Sequence, residues 1–530
     1  MSQIIDILYQ SEKIVKTIGS SVLPNGKTIS QALTINNVPY WDVFASELAS
    51  RFIPAAFGEP ENFEFIGQLV KLNLLKTRNY IRDINQIRKN RKKNIEINNL
   101  NNILCLEFMP AQSRDVMGHV TRYLVDHKGI NILSLGDKEW PSHGKKIRAN
   151  ENRKIIWDFW SNKLNVKAKN LSKELNSVKN YILNSKYLEQ SLCKYEPSFI
   201  KKIKHALNRL FVGELPSLIR QGVISSYILE QYQPSLLIVT DVHDPRTRMY
   251  ILQCNQLNIP CLALQHGLTN ASATEWRFFT ADRVAVWGNH FKKILSAHGI
   301  ASNKIKVTGA PRSDSLIKTN DSEGKSLKKK LGIPERAHII LLASTFSSSH
   351  YDGLHNDSEI LERMKRAIFE SVRNLKNTFL IVKPHPYEDD IETKSFSTNN
   401  TNIIFIDKRE DIKPLTKICD CFVAFNSTTT IDAILLNKLV VCPAFPGWLW
   451  NDTYIETNIV YSPASIQEIS DIFKLVSNSN HFTLIKKHKN IRKKLISDWL
   501  YRHDGMCAER IGKIALSMQL NKNTSLNLNC

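Results

Sequence analysis

The sequence is short of the features that assign a protein quickly, and each absence excludes something. Nowhere in its 530 residues does an apolar run approach the ~18 residues of a membrane-spanning helix. The opening MSQIIDILYQSEKIVKTIG has no basic segment followed by an apolar one, so no secretion signal is expected. There is no glycine-rich dinucleotide fingerprint and no P-loop, which removes NAD and ATPase readings. The nine cysteines are odd in number and sit mostly in apolar runs, such as Cys105, Cys261 and Cys442, as expected for buried thiols of a reducing compartment. Cys419 and Cys421 form a CDC pair without a second pair at finger spacing, so no metal site is expected. No acidic pair stands at a strand end among other metal ligands, and YEDD at 387–390 reads as a solvated turn.

Acidic residues are also in deficit. Lys and Arg number 72 against 50 Asp and Glu, a net charge of +22. The surplus lies in runs: IRKNRKK near residue 90, IKKIKHALNR from 200, KKK at 328–330 and IKKHKNIRKK from 485. An acidic partner follows, either anionic lipid or a phosphorylated substrate. None of the runs interleaves regularly with aromatics, which argues against nucleic acid.

What is present is a two- or three-domain globular chain, because single cores stop growing at about 250–300 residues. Residues 1–100 read as an accessory helical region. From NNILCLEF onward short apolar runs alternate with amphipathic segments, the pattern of βαβ units in an α/β fold. A charged helical stretch at about 150–222 interrupts the first series. A second series starts after a polar segment near 320. The expected division is 1–100, 101–320, 321–515 and a tail at 516–530, the last helix packing on either domain. Unalternating apolar strands suit parallel sheets covered on both faces. Two such sheets imply a ligand cleft, with the chemistry at the carboxyl ends of strands.

The polar residues at those ends are the candidates. TFLIVKPHP closes a strand with Lys383 and His385, and Pro384 and Pro386 stiffen the loop that would present them to a phosphate. AFNSTTTIDAILLNK passes from a strand through Asn426, Ser427, Thr428 and Thr429 into a helix, offering hydroxyls and backbone N–H groups to an anion. QHGLTN places His266 at a strand end as a general base, or as a structural histidine. VTDVHDPR adds Asp241, His243, Asp244 and Arg246; Asp241, Asp244 and Glu275 are alternative bases that the sequence does not rank. In TGAPRSD, Gly309 precedes Arg312, which either forks onto phosphate or pairs with Asp314.

Taken in order, IPCLALQHG, VWGNHFKKILSAHGI, KIKVTGAPRSD, LIVKPHP and FNSTTTIDAILLNKLVV resemble the two-domain GT-B proteins of bacterial surface-polysaccharide assembly. The pattern is similar to that of CDP-glycerol glycerophosphotransferases and, next, of capsule transferases using CMP-activated Kdo or sialic acid. The resemblance spans roughly residues 230–510. It implies two Rossmann-like domains facing a cleft, with an N-terminal helical extension. It implies catalysis by His266, donor-phosphate binding by His385, and Ser427 and Thr428 at the phosphate-binding helix start. Where the glycerophosphotransferase pattern has an acidic residue and a tyrosine, this sequence has Phe425 and Asn426.

The expectation is therefore a metal-independent glycosyl- or glycerophosphotransferase with no cofactor. Its donor would be a CMP- or CDP-activated unit, and its acceptor a glycan or lipid-linked molecule of capsule, O-antigen, lipopolysaccharide or teichoic-acid-like synthesis. It would work in the cytoplasm, peripherally at the inner membrane face. A UDP-sugar 2-epimerase and a non-catalytic glycan-binding or export protein are the rival classes.

Overall fold

The computed structural model describes all residues except 1, 59–76, 79, 80, 82, 86, 88–102, 109–112, 138–150, 185, 186, 270–272, 318–320, 346–356, 387, 389, 397–400, 426, 449–453, 455, 456 and 528–530. The chain divides into two compact units, one of Met1–Pro311 with Met506–Cys530 and one of Arg312–Gly505.

The first unit opens with helix Ser2–Ser20 and a small antiparallel ribbon, β1 (Thr34–Ile35) and β2 (Val38–Pro39). Its main sheet holds β3 (Ile103–Leu106), β4 (Ile132–Gly136), β5 (Glu151–Ile155), β6 (Leu236–Val239), β7 (Cys261–Leu264), β8 (Arg283–Val286) and β9 (Ile305–Val307). All pairings are parallel, in the order β5-β4-β3-β6-β7-β8-β9. The strand order reverses between β3 and β6, and in open α/β sheets ligands bind beyond the carboxyl ends at such a point. β3, β6 and β7 are buried at every position, which is why they are written in Leu, Ile, Val, Ala and Cys.

Three expectations change here. The stretch from 150 begins with β5, an edge strand whose ENRKI sequence carries no apolar signal, and the helices follow only from Asn162. The N-terminal region belongs to the first unit rather than standing alone. The last helix, Cys507–Asn527, also belongs to it: Ile511, Ala515 and Met518 join the core of Ile103, Ile238 and Leu262. Gly512 is required at that contact, because a Cβ there would lie 2.3 Å from the Tyr123 ring.

The second unit is a five-stranded parallel sheet of β10 (His338–Ala343), β11 (Thr378–Lys383), β12 (Ile403–Phe405), β13 (Cys421–Ala424) and β14 (Leu439–Val441), ordered β12-β11-β10-β13-β14. Helices Asp357–Arg373 and Ile466–Ser477 contribute Phe369 and Phe473 to a core with Leu342, Leu380, Val423 and Val441. Each such side chain stabilises the fold by about 1.5–3 kcal/mol through removal from water. The switch point lies between β10 and β13. The unit starts at Arg312, ahead of the expected boundary near 320, and ends at Gly505.

Candidate functional site

Each unit gathers chemistry at the carboxyl ends of its central strands. In the first unit β6 runs into Thr240 and Asp241. The Asp241 Oδ1 accepts the backbone N–H groups of His243 at 2.9 Å and Asp244 at 3.1 Å, which folds the chain back into helix Pro245–Gln256. Asp244 caps that helix, accepting the Arg246 N–H at 2.9 Å, and its carboxylate is gripped by the Arg246 guanidinium. Arg246 also reaches Asp137 at 2.5 Å and lies 4.8 Å from the Phe108 ring centroid. Asp244 thus has a capping and ion-pairing role.

His266 follows β7, the neighbouring strand. Its Nδ1 lies 2.6 Å from the Thr240 carbonyl oxygen. A carbonyl only accepts, so Nδ1 carries the proton and Nε2 has no bonding partner among the described residues. The adjacent Gln265 fixes the loop: its side-chain Nε2 donates to the Gly267 carbonyl at 2.9 Å, while its Oε1 accepts the Trp287 N–H and its backbone carbonyl accepts the Trp287 indole, each at 2.9 Å.

Glu275 sits on the short turn Thr274–Phe278. Burial pushes its carboxyl up to about 7, and the charge of Asp241 adds to the rise. Burial also pushes Asp241 up, but the imidazoles of His266 and His243 and the two amide bonds outweigh it and hold Asp241 below the usual range. Burial drives His243 below its ordinary value while the charge of Asp241 pulls it up; the ring stands edge-on to Trp276 with centroids 4.9 Å apart. His266, Asp241 and Glu275 therefore share one electrostatic neighbourhood in which one carboxyl stays ionised and the other titrates near neutrality.

Arg248, which the sequence reading passed over, braces this neighbourhood. It is 2% exposed, and it donates to the carbonyls of Phe278 at 2.6 Å, of Val242 at 3.5 Å and of Asp42 at 3.1 and 2.9 Å. One buried guanidinium thereby ties the loop after β6 and the turn carrying Glu275 to the N-terminal helices. No local motif announces it, because all three partners are backbone carbonyls and two of them, Asp42 and Phe278, are distant in sequence.

In the second unit His385 follows β11 and Ser427 follows β13. These strands flank β10 on either side. With strands about 4.8 Å apart, the two loops leave the sheet roughly 10 Å from one another. The His385 loop is anchored by Glu388, which is 2% exposed and so is not the solvated residue expected there. The Glu388 Oε2 accepts the His385 N–H at 2.9 Å. Its Oε1 accepts from Ser344 at 2.7 Å, Lys365 at 2.7 Å and Thr393 at 2.9 Å. Lys383 is likewise buried, and its ammonium donates to the carbonyls of Pro384 at 3.0 Å and Lys408 at 2.9 Å. It builds the loop instead of extending toward a phosphate. Pro386 is exposed. Burial holds His385 below its ordinary value, Lys383 pushes the same way, and Glu388 opposes them.

Asn426 lies outside the described residues. Ser427, Thr428 and Thr429 are half-buried, with the Ser427 and Thr429 hydroxyls 2.8 Å apart. The Tyr454 hydroxyl donates to the Ser427 carbonyl at 2.7 Å. The N–H groups of Thr429, Thr430 and Ile431 bond back to Ser427 and Thr428, so the start of helix Thr430–Leu435 offers hydroxyls more than amides. Arg312 is 4% exposed and pairs with Asp432 of that helix, Nε to Oδ1 at 3.1 Å and Nη2 to Oδ2 at 2.5 Å. This fork onto Asp432 is a partner that the sequence did not point to. Gly309 ends the first unit in the left-handed region at φ +87°, a turn that glycine makes without strain.

Two doubly wound parallel sheets with polar loops at their strand ends give this chain the GT-B architecture. Residues 270–500 match the family CDP-Glycerol:Poly(glycerophosphate) glycerophosphotransferase. That segment includes Glu275, Arg312, His385 and Ser427, and begins just after His266. No curated protein matches the chain. Among solved structures, a variant of the wall teichoic acid polymerase TagF is similar at 10% identity and a TM-score of 0.51, over 87% of this chain and 100% of that one. The UDP-GlcNAc 2-epimerase from Neisseria meningitidis bound to UDP-GlcNAc has 14% identity and a TM-score of 0.49, over 78% and 100%. A glycosyltransferase from Rickettsia africae ESF-5 has 14% identity and a TM-score of 0.45, over 81% and 98%. Among the described residues no helix is long and apolar enough to cross a membrane, and no group of three or more His, Cys, Asp or Glu is arranged to hold a metal ion.

Proposed function

We propose that the protein moves a glycerol-phosphate or sugar unit from a cytidine-nucleotide donor to a hydroxyl of a surface-polysaccharide or lipid-linked acceptor. The observation that carries this reading is the open Nε2 of His266, fixed by the Thr240 bond beside Asp241. Nε2 takes the proton of the acceptor hydroxyl while its oxygen attacks the donor phosphorus or anomeric carbon, and the nucleotide leaves with the bonding pair. Asp241, ionised, stabilises the imidazolium that results. His385, with Ser427 and Thr428, offsets the charge on the departing phosphate, so that protein groups do what a bound metal ion does elsewhere. Lys383 and Arg312 serve by holding the donor loops. The basic runs support contact with an anionic membrane surface or glycan, and with it work at the inner face of the cell membrane.

The test is a thermal-shift panel of CMP, CDP, UDP, GDP and their glycerol or sugar conjugates on wild type and His385→Ala, followed by product analysis with and without acceptor. Stabilisation by cytidine nucleotides that is lost in the variant supports the donor site. Turnover of donor without acceptor would instead favour an epimerase, for which Asp241 and Glu275 supply the acidic pair. No nucleotide response at all, with cellular polysaccharide unchanged in His266→Ala, would leave a non-catalytic glycan-binding protein.

A further inference from the structure

On the far side of the turn that carries Glu275, helix Ser2–Ser20 and the turn Thr274–Phe278 line an open pocket of about 500 Å³. Lys13, Lys16 and Arg277 line it together with one carboxylate, Glu12, so three cations against one anion leave a surplus of two positive charges. Glu12 is 4% exposed and spends its charge on holding Lys16 at 2.5 Å and the Arg277 guanidinium. Arg277 is further set by stacking 5.2 Å from the Tyr9 ring centroid, also on the cavity wall. The wall hydroxyls are of a different kind. Thr17 donates its proton to the Lys13 carbonyl at 2.8 Å and Ser20 donates to the Thr17 carbonyl at 3.2 Å. Their oxygens can therefore only accept.

The wall thus presents ammonium and guanidinium donors for an anion next to acceptors for hydroxyl protons. We propose that this cavity binds a phosphate ester that carries free hydroxyls, a phosphorylated polyol. Monovalent carboxylates and bare inorganic phosphate satisfy only part of this wall. Arg277 stands two residues from Glu275 on the same turn, so an occupant draws on the turn that carries that titrating carboxyl. This site is separate from the donor loops of the second unit and does not depend on the function proposed above.

The same chemistry could arrive as a soluble ester or as a lipid headgroup, and the test separates them. Glycerol 3-phosphate is titrated calorimetrically into the full chain, into Lys13→Ala/Lys16→Ala, and into His385→Ala. In parallel, sedimentation with phosphatidylglycerol–phosphatidylcholine vesicles is measured for the same three proteins. The expected result is saturable binding of glycerol 3-phosphate, weakened about tenfold or more in the lysine variant and retained in His385→Ala, with inorganic phosphate competing weakly. Binding of vesicles alone, lost in the lysine variant, supports the site and assigns it to a headgroup. Unchanged binding of both probes in a lysine variant that melts like wild type overturns the proposal, as does the absence of binding by either probe. Loss confined to His385→Ala also overturns it, because the ester is then bound at the donor loops.

Discussion

The Nδ1 atom of His266 lies 2.6 Å from the carbonyl oxygen of Thr240, and this bond determines which edge of the ring can do chemistry. His266→Asn removes the base and leaves the strand end in place. Turnover is expected to fall by about 10²–10⁴-fold, with melting temperature and nucleotide affinity near wild type. Product formation together with thermal shift measures both, and a variant with full turnover removes His266 as the base.

Glu275 makes stability depend on pH in a defined window. Its folded value, about 7, stands above the ordinary 4.5. Between these values the folded state binds more protons than the unfolded state, so stability falls as pH rises from about 4.5 to 7. Glu275→Gln cannot ionise and is expected to flatten this decline, by on the order of 2 kcal/mol at the upper end. Asp241 acts below that window: its depressed value gives stability that is lost as pH falls beneath the ordinary carboxylate range. Urea unfolding of wild type and Glu275→Gln across pH 5–8 checks the sign, and parallel curves would refute it.

Glu388 is expected to matter twice, to the fold and to the donor. Glu388→Ala strands Lys365 in the interior without its partner, and a loss of about 3–5 kcal/mol is expected. Glu388→Gln keeps the shape and retains an acceptor, so it should fold. Its weaker hold on the His385 N–H should then appear as reduced nucleotide affinity in titration calorimetry. A Gln variant with wild-type affinity would confine Glu388 to stability.

Because burial lowers the His385 value in the free protein, a phosphate placed beside the ring must raise it again. Donor binding is then accompanied by proton uptake, and affinity should weaken as pH rises through neutrality. Calorimetry in buffers of differing ionisation enthalpy measures that uptake directly. It is expected to vanish in His385→Gln; uptake that persists there belongs to another group.

Arg312 and Asp432 are both nearly inaccessible, so removing either leaves a buried charge uncompensated. Arg312→Met or Asp432→Leu alone is expected to cost about 3–5 kcal/mol, and the double variant to recover much of the loss. A double-mutant cycle by chemical denaturation reads this coupling, and additive losses would show the pair to be independent.

These pairings also mark what the sequence could and could not convey. Eleven of the twelve parallel strands among the described residues declare themselves because a parallel strand covered on both faces is largely apolar, as in LLIV of β6 or FLIV of β11. β5 escaped because an edge strand with one open side tolerates Glu, Asn, Arg and Lys. His266, Asp241 and Glu275 were legible as polar residues where apolar runs stop. Their division of labour was not, because it rests on the Thr240 carbonyl, on burial and on neighbouring charge. Glu388 was misread because an acidic residue after two prolines looks solvated until Ser344, Lys365 and Thr393 converge on it. Asp432 as the partner of Arg312 is a long-range choice with no local signature.

The return of the C-terminal helix to the first unit means that the chain crosses between the units twice, at 311–312 and 505–506. The second unit is in effect inserted within the first. During synthesis the first sheet emerges early, yet it waits for the covering helix Cys507–Asn527 until the whole second unit has been made. The inserted unit, made in one stretch, can finish folding before its host does. A stop codon placed after Gly505 would spare every donor-loop residue and still uncover the face formed by Ile103, Ile238 and Leu262, leaving a soluble-looking truncation prone to aggregation.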